Sequence, residues 1–502
     1  MPTKKIKYRL TRKTKKNKFM NNKTHKFTII FLKNLCGGKS NNDVSGSIKL
    51  KNILSDLELN ENTNNSTQQS IMIKDEEDTI RNVKKICSDL SICIAFGKET
   101  DKINKYFENF INVQYITQVK RVDKSSANGF VYIIKYTKNK YSAYSVMKST
   151  LTISSDNLAY EYLVGIFLNK YNKIFPCFTE TYGLLHYLSE AKWLSFKKDN
   201  IKNKNVLKKS FVVLKDIDVN HLEYTCSNSK HLILMTEYIK NTETIKKKLK
   251  TPDFVYNELV YILYQIYLPL SILSNKFTHY DLHKGNVLLF TPVKNAYIHY
   301  HYHFKNKTVS FKSPYIVKII DYGRSYFNDE DTGVSSKIIY GRLCKLKECD
   351  PKCGYSKGYV SLSSVKGYSE YNIISVIPNQ SHDIRLFSGI FNDIIENLNE
   401  NKEVYEDKYL LAKTLHSLQP KIIYGVGISD DLYKQYGTVE DLKKDEYIRN
   451  IHDVRHIIEN IIDTDVIRVN NELINITRKK MGDLHIYTNK HMEYVPYKPT
   501  KN

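Results

Sequence analysis

The chain has 502 residues, of which 41% are hydrophobic and 26% charged, a globular composition that excludes a wholly disordered polypeptide. Its formal charge is +24, yet residues 1–40 hold 13 Lys/Arg and no acid, so the other 462 residues carry only +11. Eight cysteines in this length are too sparse for a disulfide scaffold and suit a reducing compartment.

Residues 1–26 form a like-charge block that repels itself and is expected to be disordered, serving either as a polyanion- or nucleic-acid-binding arm or as a solvated tail. The apolar stretch from Phe27 to Leu32 is too short for a signal peptide. Gly37-Gly38-Lys39-Ser40 matches the end of a phosphate-binding P-loop, but Lys33 stands where that loop needs glycine, so the match is rejected. Residues 41–70, rich in Asn and Ser, read as linker.

Strand-type runs follow at Phe130 to Tyr136 and Tyr144 to Lys148. A helix is expected over 156–171 with Asp156 as its N-cap. Strands are expected again at 211–215 and 231–236. Beyond residue 250 the pattern is mainly helical, with a strand-rich island at 287–323. The uncharged run from Leu259 to Ser274 contains Gln265 and Pro269 and falls short of the ~20 apolar residues a membrane span needs. It reads as a buried helix, and the chain as soluble and intracellular.

The most informative stretch runs from Phe277 to Phe290. Asp281 and Asn286 sit five residues apart on a turn containing Gly285, with an apolar strand-like run after them. Further on, an apolar run from Ile316 to Ile320 leads into Asp321-Tyr322-Gly323. Phosphoryl transfer needs these residue types: a carboxylate to orient a hydroxyl and take its proton, and an amide oxygen and second carboxylate to hold Mg²⁺.

With those residues in view, the sequence resembles the protein-kinase-like superfamily. HYDLHKGN is similar to the catalytic loop H-x-D-x-x-x-x-N, and Asp321-Tyr322-Gly323 to D-F-G. The resemblance continues upstream in the family's order. Lys148 resembles the lysine that pairs with the α/β-phosphates, and Glu161, thirteen residues later, its ion-pair partner. Gly129 and Val131 resemble the end of the phosphate-covering loop, to which Ser125 and Asn128 would add amide donors. Thr236, Glu237 and Ile239 resemble the adenine-binding strand and hinge, and Asp383 the acid that supports the catalytic loop.

This resemblance, over roughly residues 115–400, implies an α+β, two-lobed kinase-like fold with a β-rich small lobe (80–240), a mainly helical large lobe (241–495) and a disordered tail (1–75). It implies an ATP- and Mg²⁺-dependent serine/threonine protein kinase, with Mn²⁺ as a substitute ion. Lys148, Glu161 and Asp281 would be catalytic and Asn286 and Asp321 would bind the metal. Composition, basic tail and an insertion at 291–315 resemble kinase-like proteins of large cytoplasmic DNA viruses, implying host cytoplasm or virion.

Some residues depart from the family pattern. The phosphate loop keeps one glycine, Tyr280 replaces the arginine of H-R-D, and His283 stands where serine/threonine kinases carry lysine, with Lys284 beside it as a cation. The D-L-H-x-G-N form also resembles aminoglycoside and choline kinases, so a small-molecule phosphotransferase stays open, as does an inactive kinase-fold scaffold or virion protein. His299, His301 and His303 share one face of the inserted hairpin and are read as a solvated face, since no carboxylate or cysteine lies beside them. Cys344, Cys349 and Cys353 are spaced for zinc but lack an assignable fourth ligand, and read as ordinary reduced cysteines.

Overall fold

The computed structural model describes residues 103–122, 129–139, 141–151, 157–199, 209–214, 217, 231–239, 242–343, 373, 375–400 and 448–488. The basic tail, the linker, Ser125, Asn128, Asp156, Cys344, Cys349 and Cys353 lie outside them. Within them the chain is mixed α+β.

Six strands form an antiparallel sheet: β1 (Ile116–Arg121), β2 (Gly129–Lys138), β3 (Tyr141–Thr150), β4 (Thr181–Tyr187), β5 (Phe211–Leu214) and β6 (Leu232–Glu237), in the order β1-β2-β3-β6-β4-β5. Aromatic and β-branched residues alternate along β2, so successive side chains go to opposite faces. Asn139 turns β2 into β3 with φ of 45°, a left-handed conformation that Asn tolerates better than most residues. One face buries Tyr132, Ile134, Tyr136, Met147, Ile233 and Met235 beneath Phe107, Phe110, Trp193 and Phe196. The other sets Leu184, Leu232 and Leu234 against the Leu158–Asn172 helix.

That helix is capped by Asn157, whose side chain accepts from the N–H of Ala159 (2.9 Å) and Tyr160 (3.4 Å). The cap is one residue later than expected, because an Asx side chain must lie outside the first turn to reach the N2 and N3 donors. Asn169 stitches the helix to β4, donating to Thr181 O (2.6 Å) and accepting from Thr181 N (2.9 Å).

The rest of the described chain is organised around the Leu259–Ile272 helix, buried from Leu259 through Ser271. An all-round apolar helix has to be central. It packs on the Ile451–Ile462 helix. Its one amide, Gln265, is satisfied by Tyr315 O (3.3 Å) and Val317 N (3.1 Å), so it also pins the chain leading to Asp321. Nearby, β7 (Thr242–Thr244) pairs with β9 (Val287–Phe290), which pairs in turn with β12 (Ile316–Ile319), while β8 (Phe277–Thr278) pairs with β13 (Tyr326–Asp329), itself paired with β14 (Val334–Ser335). None of the helices among the described residues is long and apolar enough to cross a membrane.

The insertion at 291–315 is a hairpin, β10 (Ala296–His303) and β11 (Thr308–Ser313), as its alternation predicts. Its other edge carries β15 (Lys479–Tyr487), which runs parallel to β10 and pairs Asp483 with His299. The reading of the histidine face as free of carboxylates is therefore corrected. The acid comes from 180 residues away in sequence, where no local pattern announces it.

Gly165 marks where the Leu158–Asn172 helix comes closest to the sheet, since a Cβ there would overlap the Thr181 side chain. Gly165→Ala is expected to cost about 1–3 kcal/mol by overpacking, checked by denaturant unfolding. A neutral or stabilising result would show that the helix shifts without penalty.

Candidate active site

The register of the sheet gathers the first group of residues. Val131 is opposite Lys148, and Lys148 is opposite Leu234, two residues before Thr236. Cross-strand partners share a face, so Val131, Lys148 and Thr236 all lie on the side covered by the Leu158–Asn172 helix. Glu161, in the first turn of that helix, is almost wholly buried and reaches back to the sheet. Lys148 Nζ donates to both its carboxylate oxygens (2.9 and 2.8 Å) and to Asp321 Oδ1 (2.5 Å). Burial opposes charge on the lysine, but Asp321 and Glu161 outweigh it and hold the ammonium well above the ordinary lysine range. Burial likewise works against the Asp321 carboxylate, and Lys148 overrides it, keeping that acid below its usual range.

Gly129 opens β2 at the end of the β1–β2 connection, and Val131 O accepts from Val122 N (2.9 Å), closing the base of that hairpin. Ile239 is buried just past β6. Glu237 ends β6 and is anchored through its side chain. Its carboxylate accepts from Lys318 Nζ (2.8 Å) and Glu180 N (3.2 Å), and its own N–H donates to Glu180 O (2.8 Å), tying the end of β6 to β12 and to the residue before β4.

The second group is built on the turn 279–286. Asp383, just before the Ile384–Glu400 helix, accepts from His279 N (2.7 Å) and Tyr280 N (3.0 Å). Tyr280 takes φ of 61° there, is fully buried, and donates its hydroxyl to Ile377 O (2.8 Å). His279 Nε2 lies 3.0 Å from Ile320 O. A carbonyl only accepts, so the ring proton is on Nε2 and Nδ1 is left to accept from Asp281 N (3.3 Å). Burial lowers the His279 pKa, which keeps this tautomer neutral. His283 follows the same logic: Nδ1 accepts from Gly285 N (2.9 Å), and burial again lowers its pKa.

Asn286 donates its side-chain amide N–H to Asp281 O (2.9 Å), and its main-chain carbonyl accepts from Ile320 N (3.0 Å). The turn carrying Asp281 and the strand delivering Asp321 are thus joined through the backbone. Asp321 takes φ of 71°, so Tyr280 and Asp321 both hold a conformation that non-glycine residues rarely adopt. Tyr322, between them and the core, is buried, donates to Ile319 O (2.7 Å) and accepts from Thr179 N (2.8 Å).

Lys284 does not supply a cation beside Asp281. Its ammonium turns to Asp393 Oδ1 (2.6 Å) and Gly389 O (3.2 Å) on the Ile384–Glu400 helix. The charge near Asp281 comes instead from Arg385 (Nη1 to Oδ1, 3.4 Å) and Arg324 (Nη1 to Oδ2, 3.9 Å), two residues that the motifs did not single out. Arg324 directly follows Gly323 and Arg385 is two past Asp383, so both are carried by segments already tied to the turn. The structure therefore brings Lys148, Glu161, Asp321, Asn286 and Asp281 into one connected network. Asp321 is the joint between its two halves.

No family model matches this chain, and no curated protein matches it.

Asp383→Asn puts an NH₂ against one of two backbone N–H donors, and a loss of about 1–3 kcal/mol is expected from unfolding. Burial also pushes the Asp383 carboxyl up to about 7. A raised carboxyl contributes stability that is complete below its unfolded pKa of ~3.9 and is lost as pH rises through about 7. The stability gap between wild type and Asp383→Asn should therefore narrow from pH 5 to pH 8. A gap that widens means the two N–H donors keep the carboxylate ionised.

Proposed function

We propose that the chain is an ATP- and Mg²⁺-dependent phosphotransferase with a two-lobed, protein-kinase-like fold, acting on serine/threonine hydroxyls of proteins. The observation that carries this reading is the joining of the Lys148–Glu161 pair to Asp321, itself linked through Ile320 and Asn286 to Asp281. A structural ion pair explains Lys148 and Glu161 alone. It does not explain why a strained Asp321 should complete the cluster beside a second, arginine-bracketed carboxylate.

The donor set suits the implied ion. The Asn286 side-chain nitrogen is spent on Asp281 O, which leaves its side-chain oxygen, and Asp321 offers carboxylate oxygen; hard oxygen ligands suit Mg²⁺ and Mn²⁺. Mg²⁺-ATP, when bound, supplies the transferable γ-phosphoryl group and neutralises charge on it.

Lys148 has three N–H donors and three acceptors, so holding a phosphate oxygen requires it to release one. The Glu161 side chain is 4% exposed and the Asp321 side chain 37%, so Asp321 is the partner that leaves. Glu161 then keeps the ammonium in place. Asp281, on a turn held by Asp383 and His279, orients the acceptor hydroxyl and takes its proton. Arg324 and Arg385 keep that carboxylate in position and supply positive charge that Tyr280 and His283 do not.

The test is transfer of label from γ-labelled ATP to mixed basic protein, with an aminoglycoside and choline panel in parallel. Asp281→Asn should leave nucleotide affinity nearly unchanged and cut transfer about 10²–10⁴-fold. Asp321→Asn should weaken both, with partial recovery at high Mg²⁺ or with Mn²⁺. Near-wild-type transfer by folded Asp281→Asn overturns the assignment, and transfer confined to the small-molecule panel overturns the protein substrate.

A further inference from the structure

The hairpin β10–β11 and the strand β15 play no part in the network around Lys148, yet they hold the densest group of ligating side chains among the described residues. On β10 the buried residues are Ala296, Ile298, Tyr300 and Tyr302, which turns His299, His301 and His303 to the opposite face. β15 lies in parallel register beside them and places Asp483 and His485 on that same face.

Within this row, one ring nitrogen each of His299 and His301 and an Asp483 carboxylate oxygen fall within 4.8 Å of one another. His299 Nδ1 is 3.4 Å and His301 Nε2 is 3.1 Å from the same atom, Asp483 Oδ1. A tetrahedral zinc site with ligands at ~2.0–2.1 Å spaces neighbouring ligand atoms about 3.3 Å apart. Both separations fit that edge length.

The orientation of His301 is set from behind. Its Nδ1 lies 2.9 Å from Ser310 Oγ on β11, which leaves Nε2 facing Asp483. A second hydrogen bond that fixes ring and tautomer is the usual support of a histidine ligand. The three side chains are between 18% and 27% exposed, enough for an ion to enter and too little for the rings to rotate freely.

We propose that His299, His301 and Asp483 form a divalent transition-metal site, best suited to Zn²⁺, which clips the C-terminal strand β15 to the inserted hairpin. Imidazole and carboxylate together suit zinc, and three protein ligands leave a fourth position for water. Lys480 Nζ, 2.8 Å from Asp483 Oδ1, is the cation that a metal displaces; its side chain is 35% exposed and can swing away. Since the ligands come from strands some 180 residues apart, ion binding also stabilises the fold.

Co²⁺ is the probe, titrated into the full chain at neutral pH and followed by its d–d absorption, with Zn²⁺ as competitor. One Co²⁺ per chain should give d–d bands without thiolate-to-cobalt charge transfer, and Zn²⁺ should displace it while raising the unfolding midpoint. His301→Gln and Asp483→Asn, each checked by circular dichroism for retained fold, should weaken Co²⁺ binding by at least about tenfold. His303→Gln, on the same face but outside the triad, should not. Charge-transfer bands in place of a His/Asp spectrum, binding unchanged in both triad variants, loss of binding only in His303→Gln, or no binding by folded wild type would each overturn the site.

Discussion

The half of the candidate active site built on the six-stranded sheet depends on one partly buried ammonium. Lys148 sits on a sheet strand, Glu161 on the helix packed over that strand, and Asp321 on a turn that leaves the strand paired with β9. A charge withdrawn from water is costly unless its partners are complete, so the three elements cannot drift apart independently. The Asn157 cap, the Asn169 clasp on Thr181 and the Lys170–Asp329 pair (2.7 Å) each hold the same helix in place. They serve to keep Glu161 within reach of the lysine.

The other half of the site is fixed by backbone rather than side-chain charge. Asp383 accepts two successive main-chain N–H groups, His279 aligns a third, and Asn286 closes the turn on Asp281 O. This leaves the Asp281 carboxylate to be oriented by Arg324 and Arg385 alone among its described ion-pair partners. Pre-set geometry of that kind is what reactions governed by positioning and charge require.

Much of this was legible in the sequence because the chemistry is local. Asp281, Gly285 and Asn286 lie on one turn, and Asp321 follows an apolar strand, so residue types and spacing put them forward as candidates. Lys148 and Glu161 emerge only through the order that the kinase resemblance implies, since a lone Lys or Glu carries no signal. The cap was misplaced by one residue because Asp156 and Asn157 are chemically equivalent candidates, and only backbone geometry chooses between them. The direction of Lys284 is not legible from its neighbours, because packing decides how a side chain leaves a turn, here toward Asp393. The pairing of β15 with β10 was invisible: a parallel strand across 180 residues leaves no periodicity to detect. It is also what converts a row of histidines into a His/Asp cluster.

We propose that the Lys148 cluster holds nucleotide rather than serving as a structural ion pair. Calorimetric titration of Mg²⁺-ATP into the full chain, beside Lys148→Met, tests it most directly. A nucleotide site at Lys148 gives saturable, Mg²⁺-dependent binding to wild type that is lost in a Lys148→Met protein whose circular dichroism is unchanged. Equal binding by both proteins, or none by folded wild type at millimolar nucleotide, would contradict it.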